Sequence, residues 1–203
     1  MRTVHALTSV ILGVGTFYPT AAMAAADDIR SANALGPANA PVVIEFFSDL
    51  QCPQCARYEP MVKSLKAEFG NKVRMVLRHF PLSGHKHALP ASWAAEAAAN
   101  QGKFWEMAEA LYKTQWMWAR APAPRAIFLD QARRLGLDLD KFQKDMDATE
   151  VHDRVTADQS HAQAIGAKTA PSVVINGYNV PNTEFSENGF RAAIKGALAK
   201  AGQ

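Results

Sequence analysis

The sequence is short of cysteine, of clustered charge and of long hydrophobic runs. Only two of its 203 residues are cysteines, which excludes a structural zinc site built from four thiolates. Its lysines and arginines are scattered and its formal net charge is only +3, so neither nucleic acid nor an anionic membrane surface is indicated as a partner. The chain has no internal repeat and, after its first residues, no long apolar run. Its 48% hydrophobic content fits one ordinary globular domain.

The N-terminus has the order of a secretory signal peptide. Arg2 precedes a short apolar run over residues 6–17, and small residues follow around Ala24, as expected before a cleavage site. The run is shorter than the roughly 20 residues of a transmembrane helix. We therefore expect residues 1–24 to be cleaved, with Ala26 as the other candidate end, and the mature chain to be exported, for example to the periplasm. A buried N-terminal helix or a retained anchor is the alternative.

The following residues predict an α/β fold. After a polar leader at residues 25–40, residues 41–47 (PVVIEFF) have the β-branched and aromatic composition of a buried strand. Residues 52–69 show the apolar spacing of a helix, and residues 73–79 predict a second strand. Two strands joined by one crossover helix are most simply parallel.

The middle and the end of the chain complete this architecture. Residues from about 87 to 165 have helical patterns and no convincing strand, which predicts a helical insertion. Residues 171–175 predict a further strand, the Asn-Gly pair at 176–177 predicts a hairpin turn, and residues 186–201 predict an amphipathic helix capped by its first residue, a serine. We therefore expect an α/β domain over residues 41–203 with an all-helical block inserted in its middle.

Both cysteines lie in one motif, Cys52-Pro53-Gln54-Cys55, at the predicted start of the first helix. Residues three apart there lie one turn apart on the same side, near enough for their sulfurs to bond. So small a loop stabilises a fold little, so a redox role is favoured over a structural one. The helix dipole should lower the pKa of Cys52 below about 8.5 and make it the nucleophile, with Cys55 as the resolving thiol. Pro53 fits the first helical turn, and the Pro53-Gln54 dipeptide is expected to tune the reduction potential.

Glu45 and Pro171 are further candidates whose roles the residues alone leave open. Glu45 interrupts the first apolar strand. It is either a proton carrier beneath Cys55, with its pKa raised by burial, or a carboxylate that meets water or pairs with a nearby Lys or Arg. Pro171 begins a strand, a position that a sheet tolerates, and the bond from Ala170 could be cis or trans.

Tryptophans and one histidine are assigned to packing rather than to chemistry. Trp93 and Trp105 occur at helical spacing, which is typical of a core, and His79 near the end of a strand is expected to be structural. Trp116 and Trp118 lie beside a proline-rich break, and the sequence does not decide whether they pack in the core or line a substrate groove.

Four stretches together resemble the DsbA-like branch of the thioredoxin-fold disulfide oxidoreductases. They are VVIEFFSDLQCPQC, VRMVLRHFPL, HKHALPASWAAEAAANQGKFWEMAEALY and GAKTAPSVVINGY. The resemblance covers the chain from about residue 41 to residue 203, and the combination is more specific than a C-x-x-C motif alone. It implies a thioredoxin fold with an inserted helical subdomain.

The resemblance also implies roles for individual residues. Cys52 and Cys55 are the active-site pair, and Glu45 is the buried acid. Pro171 is a cis-proline whose loop, with Ala170, faces the disulfide and holds the substrate backbone.

Two residues depart from the pattern of this family. Gln54 stands where strongly oxidising members often carry histidine, and Ala170 stands where many members carry Thr or Val. These departures leave the reduction potential and the substrate contacts open. The leader before residue 41 is too short for the dimerisation region of the isomerase relatives, which favours a monomer.

The resemblance implies an exported protein thiol:disulfide oxidoreductase, with dithiol oxidase favoured. By this resemblance we expect its substrates to be reduced or unfolded exported proteins, no cofactor or metal to be needed, and a DsbB-like membrane protein to reoxidise it. One alternative is a thiol reductase or isomerase that uses the same pair. Less favoured alternatives are a binding or chaperone module and a metal-binding dithiol completed by His85 or His87.

Overall fold

A twisted sheet of five strands forms the centre of the protein, which we describe from a computed structural model for residues 31–182 and 185–202. The strands are β1 Ala34–Leu35, β2 Val42–Ser48, β3 Val73–His79, β4 Ser172–Ile175 and β5 Tyr178–Asn179. Their order is β1-β3-β2-β4-β5. The pair β2 and β3 is parallel, as predicted, and the other neighbouring pairs are antiparallel. The predicted signal peptide, residues 1–24, lies outside the described residues.

Eight α-helices surround this sheet in the described part of the chain. They are α1 Pro53–Phe69, α2 Ala88–Ala99, α3 Phe104–Lys113, α4 Gln115–Trp118, α5 Arg125–Arg134, α6 Leu139–Met146, α7 Thr149–Ala164 and α8 Glu187–Lys200. Short 3-10 turns occur at Ser31–Asn33 and Gly70–Lys72. Helices α2 to α7 lie between β3 and β4 in the chain, so the predicted helical insertion is confirmed. No helix in these described segments is both long enough and apolar enough to cross a membrane.

The two faces of the sheet are covered by different helices. Side chains alternate along a strand, so Ile44 and Phe46 pack on one face with residues of α1 and α8, such as Leu65 and Ile194. Phe47 points to the other face, where it packs with the α7 residue Ala162. A further core joins the start of α1 to the inserted helices. The cysteine pair therefore lies where the sheet layer meets the helical insertion.

The predicted hairpin and final helix are confirmed by their local bonds. Asn176 has a positive φ of 47° at the turn between β4 and β5. Its carboxamide accepts a hydrogen bond from the Val43 N–H at 2.7 Å and donates to the Pro41 carbonyl at 3.1 Å. At the start of α8, the Ser186 hydroxyl accepts from the Gly189 N–H at 3.0 Å, as an N-cap does.

Strand β1 lies within the segment for which the sequence indicates only a polar leader. Ala34 pairs with Val76 at the outer edge of β3. Gly36 then follows with a φ of 107°, and a Cβ atom there would lie 2.2 Å from the Val73 carbonyl oxygen. This close approach of two backbones requires glycine.

Candidate active site

Cys52 is the N-cap residue of α1. Its backbone is extended, with φ of −78° and ψ of 121°, and Pro53 occupies the first helical turn. The two sulfurs are not bonded to each other, and both cysteines are buried, with 7% of Cys52 and 3% of Cys55 exposed, whereas Pro53 and Gln54 are exposed. The sequence motif thus presents its two middle residues to solvent and shelters its sulfurs.

The two thiols have opposite pKa shifts. The pKa of Cys52 is lowered to about 6, mainly by the hydrogen bond from the Cys55 thiol and also by the N–H groups of Cys55 and Gln54, against burial, which raises it. The pKa of Cys55 is raised far above its ordinary value by the same hydrogen bond and by burial. These opposite shifts are consistent with the prediction that Cys52 is the thiolate and Cys55 the thiol.

The backbone of Asp49 contacts both cysteines. The Asp49 N–H donates to Cys55 Sγ at 3.5 Å, and the Cys52 N–H donates to the Asp49 carbonyl at 3.0 Å. This turn connects β2 directly to α1, so it fixes where the sulfurs lie relative to the sheet.

The side chain of Asp49 is fully buried in the same turn. One carboxylate oxygen accepts from the Gln51 N–H at 2.7 Å. The other accepts from the Leu82 N–H at 2.9 Å and from His85 Nδ1 at 2.6 Å. Sequence analysis missed Asp49, although a carboxylate in the short turn before a redox motif is a usable signal.

The loop before β4 faces Cys52. The Ala170–Pro171 bond is cis, as the resemblance implies. The carbonyl oxygen of Ala170 lies 3.9 Å from Cys52 Sγ. Two of the predicted site elements, the cysteine motif and the proline loop, are therefore in contact.

A small cavity of about 30 Å³ lies beside Cys55. Its lining includes Ser48, Glu59, Trp105 and Tyr112. The Ser48 and Tyr112 hydroxyls are hydrogen-bonded at 2.6 Å, and burial raises the pKa of Tyr112 well above its ordinary value. Trp105 was expected to be a packing residue, and it also lines this cavity. Glu59 and Tyr112 were not identified from the sequence because each is one polar residue on an otherwise ordinary helix.

Glu45 forms an ion pair and does not have the raised pKa expected of a proton carrier. It lies on the sheet face that packs against α7, opposite α1. One of its oxygens accepts from Arg78 Nε at 2.9 Å and from His161 Nε2 at 3.0 Å. Burial alone would raise the pKa of Glu45, but the hydrogen bond from His161 and the charge of Arg78 outweigh it and lower the pKa. Of the two alternatives left open for Glu45, the observed contacts favour pairing with a basic residue over a proton carrier with a raised pKa.

The histidines proposed as metal ligands are bonded to other groups. His85 donates to Asp49, and His87 Nε2 donates to the Ala121 carbonyl at 2.8 Å. These contacts give no support to a site that joins His85 or His87 to the cysteines.

A second cluster of potential ligands is an ion-pair network. Ligand atoms of His79, Glu96 and Asp158 lie within 4.8 Å of one another, and all three residues are buried. Asp158 pairs with Arg78 at 3.1 Å, and Glu96 pairs with Arg154 at 2.6 Å. The adjacent guanidinium charges oppose a metal cation. The buried contact of His79 Nε2 with Glu96 at 3.1 Å is consistent with the structural role expected of His79.

The tryptophans left open by the sequence differ in exposure. Trp118 is fully buried and donates from Nε1 to the Leu111 carbonyl at 2.8 Å, whereas 79% of Trp116 is exposed. Their helix, α4, lies against the turn before the cysteines, because the Gln115 side chain donates to the Leu50 carbonyl at 2.8 Å. Trp116 is therefore exposed on a helix that borders the redox site.

The whole-chain comparisons match this geometry. A family model described as thioredoxin matches residues 30–196. The crystal structure of a thioredoxin-like oxidoreductase from Silicibacter pomeroyi DSS-3 is 30% identical to this chain, with 83% of this chain and 90% of that chain covered and a TM-score of 0.67. The crystal structure of α-DsbA1 from Wolbachia pipientis is 19% identical, with 83% and 92% covered and a TM-score of 0.73. The predicted thioredoxin fold with a helical insertion is confirmed.

The curated relatives are much longer proteins. The protein named Na(+)/H(+) antiporter NhaA 1 from Salinispora arenicola is 34% identical over 165 residues, which are 81% of this chain and 24% of the relative. The chain thus spans about a quarter of the length of the curated relatives that it matches.

Proposed function

The chain belongs to the thioredoxin family and has the fold of the DsbA-like oxidoreductases, and from this we propose that it is an exported protein thiol:disulfide oxidase. Its substrates are reduced extracytoplasmic proteins. The observation that carries the proposal is the position of the cysteine pair at the start of α1, with Cys52 Sγ 3.9 Å from the carbonyl oxygen of the cis Ala170–Pro171 loop. The pKa shifts of the pair support it, because the pKa of Cys52 is lowered and that of Cys55 is raised. A stabilised Cys52 thiolate favours the reduced form of the pair, so the disulfide form is an oxidant.

The first step is attack on the enzyme disulfide. A substrate thiolate attacks Cys52 Sγ, and the Cys52–Cys55 bond breaks. A mixed disulfide then joins the substrate to Cys52. Cys55 leaves and takes up a proton, which its raised pKa favours.

The second step releases the oxidised substrate. A second substrate thiolate attacks the substrate sulfur of the mixed disulfide, and Cys52 leaves as a thiolate. The substrate loses two electrons to the cysteine pair and two protons, of which one is on Cys55 and the other passes to solvent. The lowered pKa of Cys52 makes it a good leaving group in this step.

We propose that the Ala170–Pro171 loop binds the substrate backbone beside Cys52. The 3.9 Å approach of the Ala170 carbonyl to Cys52 Sγ supports this role. Pro53 and Gln54, which are exposed next to Cys52 in the chain, would also contact the substrate. Glu45 forms no part of the proposed exchange, because its contacts support a structural ion pair.

The lowered pKa of Cys52 supports oxidation as the proposed direction of exchange. Its value of about 6 lies between those of about 3.5 for DsbA and about 7 for thioredoxin. Gln54 brings no positive charge to the sulfur. We therefore propose a moderate oxidant rather than an extreme one. A reductase or isomerase that uses the same pair is the alternative.

The proposal also covers how the cysteine pair is reoxidised and where the protein acts. The reduced pair needs an external oxidant, and a DsbB-like membrane protein would accept its electrons. We propose export through a signal peptide at residues 1–24 and action as a monomer. The antiporter relatives share only about a quarter of their length with this chain, so ion exchange forms no part of the proposal.

Two cysteine variants test this mechanism. The unsubstituted oxidised enzyme is mixed with a reduced, unfolded protein, and each single-cysteine variant, reduced, is mixed with a protein that carries a disulfide. Free thiols and mixed disulfides are counted with time. Cys52→Ser should abolish exchange. In its matched control, Cys55→Ser, the Cys52 thiolate should attack the substrate disulfide, release one substrate thiolate and leave a mixed disulfide that persists, because Cys55 is absent to displace the substrate. Normal exchange by Cys52→Ser would contradict the mechanism.

A further inference from the structure

The buried carboxylate of Asp49 lies within the turn that carries the redox pair. Its backbone bonds to both cysteines, and its side chain is 0% exposed. A negative charge on this side chain, in the turn that leads into Cys52, opposes a second negative charge on the Cys52 sulfur. Consistent with this geometry, the charge of Asp49 acts to raise the pKa of Cys52.

His85 is the one ionisable donor to this carboxylate in the described part of the chain. Its Nδ1 atom lies 2.6 Å from Asp49 Oδ2, and its side chain is 28% exposed. The other two donors are the backbone N–H groups of Gln51 and Leu82. With Asp49 ionised, Nδ1 donates and withdraws part of the negative charge from the carboxylate.

We propose that Asp49 and His85 are a pair of positioning residues that sets how oxidising the Cys52–Cys55 couple is. This inference rests on the proposed function. Reduction adds two electrons to the Cys52–Cys55 bond and leaves a thiolate on Cys52 and one proton on Cys55. Asp49 destabilises only this reduced state, because the disulfide carries no charge, and His85 offsets part of that effect.

The two residues therefore have opposite expected effects. Asp49→Asn removes the charge with little change of shape, so the pKa of Cys52 should fall and the couple should become more oxidising. His85→Leu removes the donor, so the pKa of Cys52 should rise and the couple should become less oxidising. We expect each substitution to change the thiolate-to-thiol ratio of Cys52 on the order of threefold, which is about half a pKa unit.

The control is Asp147→Asn, which removes a carboxylate from the surface. Asp147 has a side chain that is 67% exposed and pairs with Arg125 at 2.7 Å, remote from any contact described for the cysteines. Its substitution should leave the pKa of Cys52 and the redox equilibrium unchanged. If Asp49 and His85 had only a structural role, their substitutions would alter stability. They would not shift the pKa of Cys52 in opposite directions in the two variants.

The experiment measures each full-length variant in two ways. Thiolate absorbance against pH gives the pKa of Cys52, and equilibration in glutathione buffers gives the redox equilibrium constant, with thermal unfolding as the check of the fold. Opposite shifts for Asp49→Asn and His85→Leu, and none for Asp147→Asn, would support the inference. Shifts in the same direction, or none beyond the control, would overturn it.

Two further results separate this inference from the proposed function. If Asp49→Asn does not fold, His85→Leu decides alone, and an unchanged pKa of Cys52 overturns the inference. If the unsubstituted protein exchanges disulfides normally and the variants have the same pKa of Cys52 and the same redox equilibrium constant, only the inference fails. If the unsubstituted protein never forms the Cys52–Cys55 disulfide, the proposed function fails and the inference fails with it.

Discussion

The Sγ atom of Cys52 and the carbonyl oxygen of Ala170 lie 3.9 Å apart, although the two residues are 118 positions apart in the chain. The contact brings the start of α1 against the loop that precedes β4. The proposed protein substrate would approach Cys52 beside this loop, so the loop is placed to affect disulfide exchange.

Enlarging Ala170 should impair exchange with proteins. Ala170→Val adds two methyl groups beside Cys52 Sγ, and a small displacement of the incoming thiol should slow exchange on the order of tenfold. The rate constant with a reduced protein measures this effect. Ala167→Val is the control, since Ala167 is also buried but packs with Phe47 and Val174. Equal rates for the two variants would refute the proposed role of the loop.

The reactivity of Cys52 should follow a low pKa. Alkylation by iodoacetamide should be half-maximal near pH 6, the pKa of Cys52, instead of near 8.5. Because this pKa is lowered, the Cys52 thiolate stabilises the reduced protein fully above about pH 8.5 and loses that effect as pH falls through about 6. Urea unfolding of the reduced protein against pH measures this loss. Cys52→Ser should lack this part of the pH dependence, and an identical dependence in both proteins would contradict the assignment.

Tyr112→Phe should destabilise the fold beside Cys55. The substitution leaves the buried Ser48 hydroxyl without the partner that lies 2.6 Å away, at a cost of about 1 to 2 kcal/mol. Urea unfolding measures it. Tyr178→Phe is the control, because 72% of Tyr178 is exposed, and it should change stability by less than about 0.5 kcal/mol. A Tyr112→Phe variant as stable as this control would contradict the described contact.

Glu45→Gln should lower stability and leave exchange intact. Arg78 loses one buried carboxylate partner, which costs roughly 1 to 3 kcal/mol. Because the pKa of Glu45 is lowered, its contribution is present above the ordinary carboxyl range and is lost as pH falls through the folded pKa, so the variant should lack that acid-dependent loss.

Stability curves and exchange rates decide between the two roles of Glu45. Glu106→Gln is the matched control, since the Glu106 side chain is 45% exposed and pairs with Lys103; it should cost less than about 1 kcal/mol. Slow exchange with unchanged stability in Glu45→Gln would restore Glu45 as a proton carrier.

Local sequence patterns predicted the secondary structure better than they predicted the pKa shifts of the site residues. The strand at residues 73–79 and the helix after Cys52 follow from composition and spacing, because each buries a face that its own sequence defines. Strand β1 was not predicted, since two residues carry no periodicity and their pairing depends on β3.

The candidate site shows the same division between local and distant information. The lowered pKa of Cys52 follows mainly from the hydrogen bond of the Cys55 thiol and also from the N–H groups of Cys55 and Gln54, all of which lie within the same motif. The pKa of Glu45 depends on Arg78 and His161, which are 33 and 116 positions away in the chain. His85, the partner of Asp49, likewise lies in a separate loop, so this contact could not be predicted from the periodicity of the sequence.

The reduction potential of the Cys52–Cys55 couple tests the central claim most directly. The mature protein is equilibrated in glutathione buffers of graded ratio, and its free thiols are counted. A dithiol oxidase with this Cys52 thiolate should have a potential above about −200 mV, between the glutaredoxin range and the value of about −120 mV for DsbA. A potential near the thioredoxin value of about −270 mV would contradict the oxidase and favour the reductase.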